Sequence, residues 1–173
     1  NLISEIQSGD APDQMEQFKF SDDDIEEFRE ALDGDIYDLT PRRRNYLILR
    51  LDSFISDGAA TYDPTVLTIE HVLPQTVSSD SEWNEWWPDE GERKAWVHRL
   101  ANLVPLNKKK NSSAQNYEFR LKCKIYFSGA TNVSSYALTS QVINCIKWTP
   151  EVVKTRQEML LRALFDNWGF PRD

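Results

Sequence analysis

The chain holds only two histidines, and one of them, His71, directly follows Glu70 in the β-like run LTIEHVLPQT, residues 67–76. A buried strand favours neither an acid nor an imidazole. The pair is therefore either the satisfied polar end of a strand or a reactive site. Two asparagines further along, Asn102 and Asn111, tip the balance towards chemistry. Hydrolysis of a phosphodiester with one divalent metal needs an activated water and positive charge near the leaving oxygen. An imidazole titrates near neutrality and serves as general base. A hard cation such as Mg²⁺ takes oxygen ligands. Glu70 offers a carboxylate oxygen and Asn111 an amide oxygen, while Asn102 can hold the imidazole or its loop by hydrogen bonds. His98 is either a second catalytic or phosphate-contacting group or the residue of a helix end. Asn116 is either a ligand or phosphate contact, or a cap or turn residue.

These residues need strands and helices to gather them. The β-branched run YDPTVLTIEHVLP predicts one or two short strands, and Leu103 and Val104 a further one. A polar turn follows, then a helix from about Ser113 to Phe127. The elements on either side are helical. Ser21 is the predicted N-cap of a helix opened by Asp22, Asp23 and Asp24 and closed by Gly34. Ile25, Phe28 and Leu32 would form its buried face. Thr40 and Pro41 start a second helix that ends at Gly58, with Tyr46, Leu47, Leu51, Phe54 and Ile55 as its apolar stripe. Arg42, Arg43 and Arg44 crowd its first turn, the wrong end for positive charge on dipole grounds. That placement suits an external anion or an internal salt bridge. Trp83, Trp86, Trp87 and Trp96 fall on helical pieces broken at Pro88, and their expected role is core packing rather than base stacking. A long terminal helix starts at Thr149 and Pro150 and buries Val153, Met159, Leu160, Ala163 and Leu164. Residues 1–20 read as a short helix or linker.

IEHVLPQ, HRLANLVPLN and NSSAQNYEFRLK together resemble the C-terminal HNH endonuclease domain of GmrSD-type, modification-dependent restriction enzymes. The resemblance is clear from about Ile69 to Lys122 and looser on both flanks. Asn102 and Asn111 are nine apart, the usual separation in that fold. Asn116, Phe119 and Lys122 continue the pattern. It departs at Ala101, where the family often has glycine, and at Glu70, where many HNH enzymes have aspartate. The resemblance implies an α+β, mostly helical fold, with a ββα-metal core embedded in flanking helices. It implies His71 as general base, Glu70 and Asn111 as ligands of Mg²⁺ (or Mn²⁺), and Asn102 as the residue that orients His71 or steadies its loop. It further implies DNA as substrate, a bacterial cytoplasmic setting, and a role in restriction of phage or other foreign DNA. An NTP-hydrolysing sensor domain usually precedes this one. With six glycines and no phosphate-cradling loop, the present sequence is expected to lack it. One such site cuts one strand, so a double-strand break would need a second event or a homodimer.

Charge agrees once it is divided. The net charge of −8 comes from residues 1–40, an acidic helical segment or linker with 13 acids and 2 bases. Residues 41–173, the expected nuclease domain, carry 18 bases and 15 acids, and residues 93–124 hold 9 bases and one acid, Glu118. Lys108, Lys109, Lys110, Arg120, Lys122 and Lys124 are the expected phosphate contacts; a solvated helix face accounts for the same residues almost as well. The acidic run is most simply a solvated face as well. Cys123 and Cys145 form no C-x-x-C pair and read as reduced, mostly buried thiols. No signal peptide or membrane-length apolar run is visible, so the sequence reads as an intracellular piece of a longer protein. Two other functions fit the same residues: a catalytically silent DNA- or protein-binding module, and an RNA nuclease.

Overall fold

The computed structural model describes Gln7, residues 19–56, Tyr62, and residues 67–107, 116–127 and 134–170. The expectations for residues 1–18 as a whole, for Gly58, for Lys108, Lys109, Lys110 and Asn111, and for the start of a helix at Ser113 lie outside them. Two compact units divide the chain, 1–31 and 32–173.

The first unit holds most of α1 (Asp22–Leu32). Ser21 caps it as its sequence predicts. The Asp24 amide donates to Ser21 Oγ at 3.1 Å, and the Ser21 amide donates back to Asp24 Oδ2 at 3.0 Å. This reciprocal pair satisfies two donors that a helix start leaves open. Of the expected apolar face, only Leu32 is buried, and Phe28 is exposed.

The second unit is mostly helical around one two-stranded antiparallel sheet, as expected for an α+β fold. β1 (Leu67–His71) pairs with β2 (Leu103–Asn107), with His71 opposite Leu103 and Glu70 opposite Val104. Alternate residues of a strand point to opposite faces, and each face of this hairpin has its own core. Leu67, Ile69 and Leu103 pack with Ile36, Leu47, Ile48, Leu51 and residues of the terminal helix. Val104 and Leu106 pack with Trp83, Trp87, Phe119 and Trp148. The tryptophans Trp83, Trp87 and Trp148 are fully buried, in keeping with the expected packing role.

Helix α2 (Pro41–Ile55) starts at Thr40 with Pro41 in its first turn, but the Thr40 side chain makes no cap bond. Its buried stripe is Leu47, Ile48 and Leu51, and Tyr46 is 64% exposed. The face is turned by about one residue from the predicted one, because Ile48 and not Tyr46 meets the core beneath β1. Helices α3 (Trp83–Trp86) and α4 (Glu90–Val97) break around Pro88. Asp89 caps α4 by accepting from the Glu92 amide at 2.6 Å. Residues 116–118 are not helical, and α5 starts only at Phe119, running through Leu121 into a wider coil over Lys122–Phe127. Helix α6 (Ala137–Ile143) has no counterpart in the sequence reading.

Helix α7 (Pro150–Trp168) ends on Gly169, whose φ of 70° is the left-handed conformation that glycine adopts without strain. Met159 is 60% exposed instead of buried. The buried face runs instead through Val153, Arg156, Gln157, Leu160 and Leu164. Two polar residues sit there because the backbone opposite needs them. Arg156 donates to the carbonyls of Ala101 (2.5 Å) and Leu138 (3.0 Å). Gln157 Oε1 accepts from the Ala101 amide at 2.8 Å, and its Nε2 donates to Asp33 at 2.9 Å. Burial lowers the Arg156 pKa to about 10. Replacing Arg156 by Met is expected to remove its bonds to the Ala101 and Leu138 carbonyls and cost about 3 kcal/mol in urea unfolding. A loss near zero would show that Arg156 does not hold this segment.

Candidate active site

The hairpin brings His71 and Asn102 to one end of the sheet. Asn102 ends a single tight turn, Leu100–Asn102, that leads into β2. It is fully buried and its side chain is fully engaged. Oδ1 accepts from the Leu73 amide (2.7 Å) and from Trp148 Nε1 (3.0 Å). Nδ2 donates to the carbonyls of Leu73 (3.0 Å) and Val97 (2.8 Å). The Val72 amide meets the Asn102 carbonyl at 2.9 Å. A primary amide offers two acceptor and two donor positions, so nothing is left over for His71 itself. Asn102 fixes the loop that follows His71, and the imidazole is held by other residues.

His71 is 5% exposed. Its Nδ1 lies 3.1 Å from Gln75 Nε2, and its Nε2 lies 3.1 Å from His98 Nδ1. The Tyr37 ring packs against it with centroids 4.2 Å apart, and stacks on His98 at 5.3 Å and 17°. Tyr37 is itself tied down. Its amide donates to the His98 carbonyl at 3.0 Å, and Arg44 donates to its carbonyl at 2.6 Å while lying 4.2 Å over its ring. Burial, followed by the fields of His98, Lys122 and Arg44, lowers the His71 pKa to about 3. The imidazole is thus neutral at pH 7 and has a lone pair to accept a proton.

Glu70 faces the other side of the strand, so the two sequence neighbours are not each other's partners. Its Oε1 accepts from Lys122 Nζ at 3.0 Å, and the same ammonium donates to the His71 carbonyl at 2.7 Å. Lys122 is fully buried. It is therefore not among the DNA-facing lysines where its charge alone had placed it. Burial raises the Glu70 pKa and lowers that of Lys122, and their mutual attraction opposes both shifts. Arg120 and Lys124 are exposed, as is Asn116 in a turn. Among the described residues no cluster of three or more His, Cys, Asp or Glu side chains is placed to hold a metal ion. Glu70 still matches in kind what Mg²⁺ requires, since that ion keeps several waters and takes one or two carboxylates beside substrate phosphates.

Sequence reasoning missed Tyr37, Gln75 and Arg44. Gln75 stood within the quoted IEHVLPQ, and Arg44 belonged to the misplaced basic turn of α2. Tyr37 carried no signal, since it falls in the acidic stretch and meets the histidines only through tertiary packing.

The chain is a small, mostly helical α+β domain with a buried histidine at the end of its two-stranded sheet. Residues 22–163 match the family model of the GmrSD restriction endonucleases, C-terminal domain, and the chain belongs to that family. No individually curated protein matches it. No helix among the described residues is long and apolar enough to cross a membrane.

The depressed His71 pKa has a consequence for stability. The unfolded chain, with a histidine pKa near 6.5, binds this proton before the folded one does. The contribution is therefore complete above pH 6.5 and is lost on acidification, at up to about 1.4 kcal/mol per pH unit, until pH falls to about 3. Urea unfolding between pH 7 and pH 4 without metal is expected to show a shallower acid slope in His71→Gln than in the wild type. Equal slopes would mean that His71 is not held neutral by burial.

Proposed function

We propose that this domain is a metal-dependent HNH-type endonuclease that nicks or cleaves DNA. It would be the effector of a modification-dependent restriction system acting against phage DNA. The observation that carries the reading is the neutral imidazole of His71, clamped at the sheet end in a chain of the restriction endonuclease family. His71 takes a proton from the attacking water as that water's oxygen bonds to phosphorus. The phosphorus–oxygen bond to the leaving sugar breaks, and the departing oxygen gains a proton from solvent. The approaching phosphodiester brings negative charge that favours the protonated imidazole and so offsets part of the effect of burial. Glu70 and Asn111 would hold a Mg²⁺ or Mn²⁺ ion, which supplies positive charge at the phosphate and the leaving oxygen. Asn102 keeps the His71 loop in place. Lys108, Lys109, Lys110, Arg120 and Lys124 would contact phosphates along the strand. The trigger would come from an NTP-hydrolysing sensor domain, and paired cuts from two copies or two events.

One observation favours a second reading. The Glu70 carboxylate is already held by the buried Lys122, which suits a catalytically silent DNA- or protein-binding module. A plasmid assay separates the two. Purified protein with Mg²⁺ or Mn²⁺ is expected to nick supercoiled plasmid, and His71→Ala to lower the rate by at least about 10²-fold. Undiminished nicking by His71→Ala would remove His71 as the base. Binding without cleavage in either metal would favour the silent module.

A further inference from the structure

Both ring nitrogens of His71 are in contact, and that decides which one is free to react. A neutral imidazole has one N–H and one lone pair. Gln75 presents its amide nitrogen, 3.1 Å away, to Nδ1. An amide nitrogen only donates, so Nδ1 is the acceptor and the ring proton belongs on Nε2. That N–H is aimed at His98 Nδ1, also at 3.1 Å. The His98 contact is compatible with this tautomer when His98 Nδ1 accepts. The two contacts are unequal in firmness. Gln75 is exposed at the surface. His98 ends α4, stacks on Tyr37, and is joined to it through the backbone. Arg44 in turn pins Tyr37 by its carbonyl and its ring face.

We infer that His98 is a positioning residue that fixes the tautomer of His71, holding the proton on Nε2 so that Nδ1 is the proton-accepting atom. This rests on the reading of His71 as the base. The rigid side of the ring is the His98 side, and the side that opens is marked by Gln75. Gln75, Thr76, Arg93 and Lys94 line a cavity of about 300 Å³ on the far side of Gln75, which His71 itself does not line. Water and substrate reach Nδ1 from that side by displacing the Gln75 amide, while His98 keeps the ring from turning or exchanging its proton.

With two histidines in the chain, nitrogen NMR of protein labelled with ¹⁵N-histidine resolves both rings. In metal-free wild-type protein at neutral pH, His71 is expected to show a protonated-type shift at Nε2 and an unprotonated-type shift at Nδ1. His98→Phe keeps a flat ring against Tyr37 and removes the acceptor. It is expected to mix the tautomers of His71 and to lower kcat for plasmid nicking about tenfold or more, with KM unchanged. His98→Asn can present an amide oxygen near the lost nitrogen, and is expected to restore both the spectrum and most of kcat. A wild-type His71 protonated on Nδ1 would overturn the proposal without recourse to any variant. So would a His98→Phe protein whose His71 spectrum and kcat match the wild type. The expected wild-type spectrum in a protein that cleaves no DNA would support the tautomer assignment and overturn the nuclease reading instead.

Discussion

Asn102 spends the whole hydrogen-bonding capacity of one amide inside the protein. Its four side-chain bonds reach Leu73, Val97 and Trp148. These groups come from the loop after β1, the end of α4 and the turn before α7. Breaking any of these bonds would leave a buried polar group unpaired, at roughly 1–3 kcal/mol for each. Three distant segments therefore have one joint arrangement. Trp148 extends it, accepting from Trp87 Nε1 through its own carbonyl at 2.6 Å. His71 ends the strand that runs into this loop, so its position follows from a contact it does not itself make.

The two faces of β1 then divide the electrostatics. On one, His71 is kept neutral among aromatic and imidazole rings. On the other, the partly buried Glu70 pairs with the fully buried Lys122, and each makes the other's charge tolerable. Lys122 also donates to the His71 carbonyl, so the ion pair supports the backbone beneath the imidazole. The acid and the histidine are adjacent in β1 and therefore face opposite sides of the sheet. They do not form a pair.

The sequence made the order His71, Asn102, Asn111 visible because residue type and spacing survive without coordinates. It also located the helix starts at Ser21, Pro41 and Pro150, where local chemistry decides. It failed where packing decides. Tyr46 and Ile48 both suit a helical stripe, and only the direction of the core separates them. Arg156 and Gln157 interrupt the apolar face of α7 because they hydrogen-bond the backbone at Ala101 and Leu138, and periodicity carries no trace of that. Lys122 counted as one more base in a basic stretch, although its surroundings make it an internal counter-ion. Tyr37 reaches the site across 34 residues of chain from His71, a distance over which no local pattern reports.

The dependence of the His71 loop on late parts of the chain bears on how the protein is made. Asn102 needs Trp148, and the turn that carries it is held through Ala101 by Arg156 and Gln157. Synthesis runs from the N-terminus, so a ribosome has released His71 and Asn102 long before these partners emerge. Until then the loop lacks its anchor and the imidazole its fixed setting. A half-made or truncated chain carries His71 and Asn102 without their arrangement.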